Sequence, residues 1–189
     1  CVSKSPNSSM AGAARCDATS SDHGAPSHSV GHSSGRNRWM IIPVMPESGA
    51  EMGTAPLPTF GAGSRAWYRA SLQEFRSASE DSVLGGLTRN SEFEVGEAQR
   101  DAWLGEIRLL QSLLSRYDGE VLLEFAVPRM GRRIDAVLLI SGVVFVVEFK
   151  VGEALFKRAD IDQAWDYALD LKNFHAGSHA PPIVPLLLA

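Results

Sequence analysis

Two apolar runs separated by only two residues, Ser141 and Gly142, constrain this chain more than any other feature. Residues 132–140 and 143–150 are rich in Val, Ile and Leu, with Asp135 the acid of the first run and Glu148 that of the second. Runs of this kind read as strands, and a two-residue Ser-Gly link reads as a tight hairpin turn. Ile140 then faces Val143, and counting back along both strands sets Asp135 directly opposite Glu148. Two carboxylates opposed on one sheet face repel, and between strands this apolar they are poorly solvated. A divalent cation between them would turn that liability into a site, because hard cations take oxygen ligands. Lys150 lies two residues beyond Glu148 and so points to the same face.

The chain has 189 residues, enough for one domain with extensions. Its net charge of -4 excludes a uniformly basic nucleic-acid binder, so any such role needs a local basic strip. No apolar run is long enough to span a membrane, and the first residues contain no signal-peptide hydrophobic region. Cys1 and Cys16 both fall in a polar leader, where they form neither a disulfide framework nor a four-ligand zinc site. A folded part without cysteine fits the reducing cytoplasm, which is the expected location. A start at Cys1 and an end inside the apolar run at Leu188-Ala189 read as a fragment, or as a reading frame mis-assigned at its start.

Residues 1–60 are dominated by Ser, Gly, Ala, Pro and His without periodicity, the composition of a disordered leader. Residues 39–45 are an apolar island in it, broken by Pro43. His23, His28 and His32 lack cysteine or acid partners at ligand spacing and read as solvated tail. Residues 61–96 read as a helical extension. Its first helix starts at Ser71 with Glu74 three residues on, a capping box. The clearest helix is 97–116, where Ala102, Trp103, Ile107, Leu110 and Leu114 make one apolar stripe. A strand at 120–127 follows. If the loop 128–131 is a four-residue turn, Val127 faces Arg132, and Asp135 has Glu124 on its other side. Glu124, Asp135 and Glu148 then form one row. After a linker, Asp160 caps a helix over 161–174 whose stripe is Ala164, Trp165, Ala168 and Leu171. Gln163 and Tyr167 lie one turn apart on it. The crossover sets a last strand, Ile183–Leu188, parallel to a neighbour and internal to the sheet. The expected class is α/β: helix, three antiparallel strands, helix, strand, in a mixed central sheet.

Asp135, followed on the next strand by Glu148-Phe149-Lys150, resembles the PD-(D/E)xK nuclease superfamily. Gln163 and Tyr167, with three residues between them on the following helix, look like the Gln-x-x-x-Tyr motif of its RecB-like branch. The resemblance covers residues 97–189 and implies a restriction-endonuclease-like core, truncated at its C-terminal end. It extends to nuclease-like modules found ahead of P-loop helicase or ATPase domains in bacterial proteins. Such a partner domain would begin beyond Ala189. Ile134 stands where the motif has proline.

The resemblance implies Mg²⁺ or Mn²⁺ held by Asp135 and Glu148, helped by the Phe149 carbonyl and by Glu124. An acid of the preceding helix often joins; Glu106 lies near the apolar face, whereas Glu97 sits at the helix start, where it favours the dipole. Lys150 would orient the attacking water, stabilise the pentacovalent state or act as a base. Gln163 and Tyr167 would hold the DNA backbone or a base, RNA being the other possible substrate. Arg129, Arg132 and Arg133, with Lys157 and Arg158, would supply the basic strip.

Each feature has a plainer counterpart. Glu148 and Lys150 alone are an ordinary strand-end ion pair. Gln163 and Tyr167 alone are helix surface, and the arginines a solvated turn. Trp103 and Trp165 belong to helical core stripes. A nuclease-fold module that binds nucleic acid or docks an ATPase without cleaving is the alternative function.

Overall fold

The computed structural model describes residues 29–32, 38–42, 65–127, 131–153 and 155–189. In chain order they form β1 (Ser29–His32), β2 (Arg38–Ile41), β3 (Ala66–Ser71), α1 (Leu72–Ser77), α2 (Glu80–Asn90), α3 (Glu97–Leu113), β4 (Gly119–Ala126), β5 (Arg133–Ile140), β6 (Val143–Phe149), α4 (Arg158–Phe174) and β7 (Ile183–Leu188). The strands make one mixed sheet in the order β1-β2-β7-β6-β5-β4-β3. β7 runs parallel to β6, and the other neighbours are antiparallel.

The sheet grows from the hairpin. Ser141 and Gly142 both have positive φ, 51° and 78°, the backbone that matches the twist of two strands joined by two residues. Ile140 pairs with Val143, and the ladder runs back to Ala136 opposite Val147. β4 pairs with β5 from Gly119 opposite Ile140 to Ala126 opposite Arg133. At Gly119, φ 148°, a Cβ would stand 1.9 Å from the Leu139 carbonyl oxygen, so only glycine lets β4 start there.

Helices α1, α2 and α3 cover one face, burying Leu72, Phe75, Leu87, Trp103 and Ile107 against Val121, Leu138 and Val147. Helix α4 covers the other, with Tyr167, Ala168 and Leu171 against Val137, Leu139, Val144 and Val146. The inner strands β5, β6 and β7 are largely buried on both faces and are nearly continuous hydrophobic runs for that reason. Arg76 Nη1 donates to the carbonyls of Leu114, Ser115 and Tyr117, which satisfies the end of α3 from outside the helix.

Several boundaries differ from the sequence reading. The segment after Ser71 holds two helices, because Ser79 caps a second one, and Gly85-Gly86 lies inside α2. Gly86 faces Tyr68, where an added Cβ would come within 3.0 Å of the ring. Strand β3 was not foreseen; it pairs with β4 at the sheet edge. Helix α3 ends at Leu113 and not near Arg116. Helix α4 begins at Arg158; its N-cap is Lys157, and Asp160 accepts the Lys157 amide at 2.8 Å from the third helical position.

The leader also departs from expectation where it is described. β1 and β2 extend the sheet, β2 pairing with β7 from Trp39 opposite Leu188. Met40 and Ile42 are buried with Ala164 and Leu187. The apolar island thus closes the open edge of β7, and β7 is internal, as its composition requires. Among the described residues no helix is long and apolar enough to cross a membrane.

Candidate functional site

The site lies at the end of the hairpin away from the turn. The β5–β6 ladder stops at Ala136 opposite Val147. One step further the Phe149 amide donates to a side chain, Asp135 Oδ2, at 2.9 Å. That bond brings the Asp135 carboxylate to the Glu148 strand.

Glu148 is only 2 % exposed. Its Oε2 accepts from Gln163 Nε2 at 2.9 Å, while its Oε1 is buried with no hydrogen-bond partner. Lys150 Nζ donates to Gln163 Oε1 at 2.9 Å and stands 3.9 Å from Glu148 Oε2 and 3.8 Å from Asp160 Oδ1. One amide of α4 therefore bridges the acid and the base of β6. Gln163 Nε2 also reaches the Tyr167 hydroxyl, at 3.4 Å. Tyr167 is buried, and burial pushes its pKa up.

Glu124 departs from the expected row. Its φ is 53°, in the left-handed region that costs a non-glycine residue of order 1–3 kcal/mol. The β4–β5 ladder is interrupted there, between Leu123 opposite Ala136 and Phe125 opposite Ile134. The strand also changes face, since Leu123 packs with the cluster of α1–α3 and Phe125 with that of α4. The Glu124 carboxylate accepts the Trp103 indole N–H at 2.7 Å.

Four acids remain within electrostatic reach of one another. Burial, then Asp135, Glu124 and Glu148, push Glu106 up to about 9. Burial and Asp135 push Glu148 up to about 8, against the pull of Lys150. Burial raises Asp135, opposed by the Phe149 amide and Lys150, and raises Glu124, opposed by the Trp103 hydrogen bond. Glu106 is thus the acid of α3 that senses the site; Glu97 is exposed in the first turn. Among the described residues no group of three or more His, Cys, Asp or Glu side chains is assembled to hold a metal ion.

The basic strip is largely neutralised. Arg133 Nη2 lies 2.7 Å from Glu92, and its guanidinium stacks 4.1 Å above the Trp67 ring. Lys157 pairs with Glu153 at 3.0 Å and Arg158 with Asp162 at 2.9 Å. Arg132 is exposed. Arg129, His23 and His28 lie outside the described residues, and His32 ends β1. Asp160, expected as a cap, lies one turn before Gln163, on the face that meets Lys150. That spacing is the signal that could have found it. Nothing in the local sequence marks the backbone of Glu124.

Compared with known proteins, the chain matches no family model, no curated protein and no solved structure.

Proposed function

We propose that this chain is a Mg²⁺-dependent nuclease module that hydrolyses phosphodiester bonds in DNA, with a restriction-endonuclease-like core of the RecB-like PD-(D/E)xK kind. In this reading it works within a larger protein that carries a P-loop ATPase or helicase domain. The observation that carries the reading is Glu148. A carboxylate 2 % exposed, with one oxygen unpartnered, beside a second carboxylate and a lysine, is costly unless something binds there.

The residues fit a hard cation. Asp135 and Glu148 offer oxygen donors, and the unpartnered Glu148 Oε1 is free to ligate. Glu106 and Glu124, which act electrostatically on this pair, and the Phe149 carbonyl would be the further donors. When bound, Mg²⁺ or Mn²⁺ supplies a water of lowered pKa and neutralises charge on the phosphate.

The remaining work falls to the chain. Ligation requires Glu148 and Glu106 to release the protons that burial makes them hold. Gln163 fixes Glu148 and Lys150 at a set spacing. Lys150 keeps N–H groups to donate to a phosphate oxygen or an incoming water. Asp160 balances the ammonium from the far side. Tyr167 presents a hydroxyl beside Gln163 for the nucleic-acid backbone.

One observation favours the second reading, a nuclease-fold module that binds without cutting. Among the described residues no three ligand side chains are already gathered. Incubating labelled single- and double-stranded DNA with the protein in Mg²⁺, Mn²⁺ or EDTA separates the two. Metal-dependent cleavage lost in Asp135→Asn and Lys150→Ala supports the nuclease; binding without cleavage supports the module.

A further inference from the structure

A cavity of about 240 Å³ opens beside the acids, on the side of the sheet covered by α3. Its walls include Trp67, Phe93, Trp103, Glu124 and Arg133. Phe93, one of these walls, is 72 % exposed. Trp67 and Trp103 meet edge to face, with centroids 5.9 Å apart, and the Arg133 guanidinium carbon lies 4.1 Å from the Trp67 ring centroid. Three aromatic rings and a guanidinium plane therefore frame a space that packing leaves open.

Pockets for drug-sized ligands run to roughly 300–1,000 Å³, so this one takes a single ring system. Its polar lining mixes acceptors, Glu94 and Glu124, with donors, Ser91, Gln99 and Arg133. Donors and acceptors beside a stacking platform suit the edge of a base without selecting one base. Continuity with the proposed centre comes through Glu124: it lines the cavity, takes the Trp103 N–H, and lies between Leu123 and Phe125, whose partners Ala136 and Ile134 flank Asp135.

We propose that this cavity is a nucleobase subsite, in which Phe93 and the Arg133–Trp67 stack hold an unpaired base close to the phosphate presented to Asp135, Glu148 and Lys150. The proposal rests on the nucleic-acid reading of the acidic centre. It gives that centre a preference for single-stranded or flipped-out bases, because a paired base cannot enter a pocket of this size. It also accounts for Arg133, which is held over a ring and not extended toward solvent.

The test is the affinity of the full chain for a short single-stranded oligonucleotide, read by tryptophan fluorescence and anisotropy, in EDTA and again in Ca²⁺. Phe93→Ala should weaken binding about 10-fold, the size of one lost base stack. Phe93→Trp, which keeps a ring, should restore it. An oligonucleotide of the same length made abasic should lose the same factor on the wild type and lose nothing further on Phe93→Ala. Equal binding of native and abasic strands, or no binding in either buffer, overturns the subsite. Cleavage in Mg²⁺, measured separately, keeps the two ideas apart. A wild type that cuts while Phe93→Ala leaves KM unchanged refutes the subsite and spares the nuclease. Base-dependent binding without cutting refutes the nuclease and supports the subsite.

Discussion

The two ends of the β5–β6 hairpin belong to the same pair of strands and do opposite things. At the turn end, every step from Ala136–Val147 to Ile140–Val143 is a ladder pair, and the side chains are aliphatic or aromatic. Backbone groups satisfy one another there, and the side chains need only to fill space. At the other end the ladder stops, the Phe149 amide bonds the Asp135 side chain, and Gln163 of α4 bonds both Glu148 and Lys150. The difference teaches that opening a sheet by one step creates a place where polar groups must be satisfied by side chains. Such a place is incomplete, and Glu148 Oε1 is the visible remainder.

The largest effect should come from breaking the open end. Asp135→Asn or Lys150→Ala should lower cleavage by at least about 10²–10³-fold, the scale of losing one group that stabilises transition-state charge. Residual metal-dependent activity near wild type in both variants would remove these residues from the chemistry. Breaking the closed end should do the converse. Leu139→Ala, in a fully packed position, should cost about 2–5 kcal/mol in denaturant unfolding while cleavage per folded molecule stays constant.

A smaller effect distinguishes the ends by pH. Glu106 and Glu148, ordinarily at 4.5, keep their protons to about 9 and about 8 in the folded chain. Between those limits the folded state binds more protons than the unfolded state, so metal-free stability falls as pH rises through this window. Melts in EDTA should show Tm dropping from mildly acidic to alkaline buffer, less steeply in Glu106→Gln. Added Mg²⁺ should reverse the trend at the alkaline end, since it binds the ionised carboxylates. A Tm indifferent to both pH and metal would mean that these acids do not share a site. The smallest effect belongs to the turn. Ser141→Asn, better suited to positive φ, should raise stability by no more than about 1 kcal/mol and leave cleavage untouched.

Legibility followed the range of the interaction. The hairpin register, the β4–β5 register and the parallel β7 could be read because short links leave few geometries. The same counting brought Asp135, Glu148 and Lys150 to one end, and the one-turn spacing put Gln163 and Tyr167 beside them. The pairing of β3 with β4 and of β2 with β7 joins segments far apart in the chain, and no local pattern marks a partner at that distance. Residues 39–45 stood out as apolar, but only β7 and α4 give them somewhere to go. The left-handed Glu124 was hidden because backbone conformation at a strained residue is imposed by its surroundings. The ion pairs of the basic strip were hidden for a related reason: Glu92, Glu153 and Asp162 meet Arg133, Lys157 and Arg158 from positions that a count of arginines ignores.

The place of β7 between β2 and β6 has a consequence for the order of assembly. Made on a ribosome, β2 emerges early and β6 later, yet both wait for the same strand, which is synthesised after α4. Lys150 also waits, because its amide is held by the Leu188 carbonyl at 2.8 Å. Contacts of such wide sequence separation form slowly, since loop closure comes before any gain. A nascent chain therefore carries Asp135 and Glu148 for the whole of that interval without the strand that steadies them. Until β7 pairs with β6, the Lys150 amide lacks its carbonyl partner and Glu148 lacks the strand beside it.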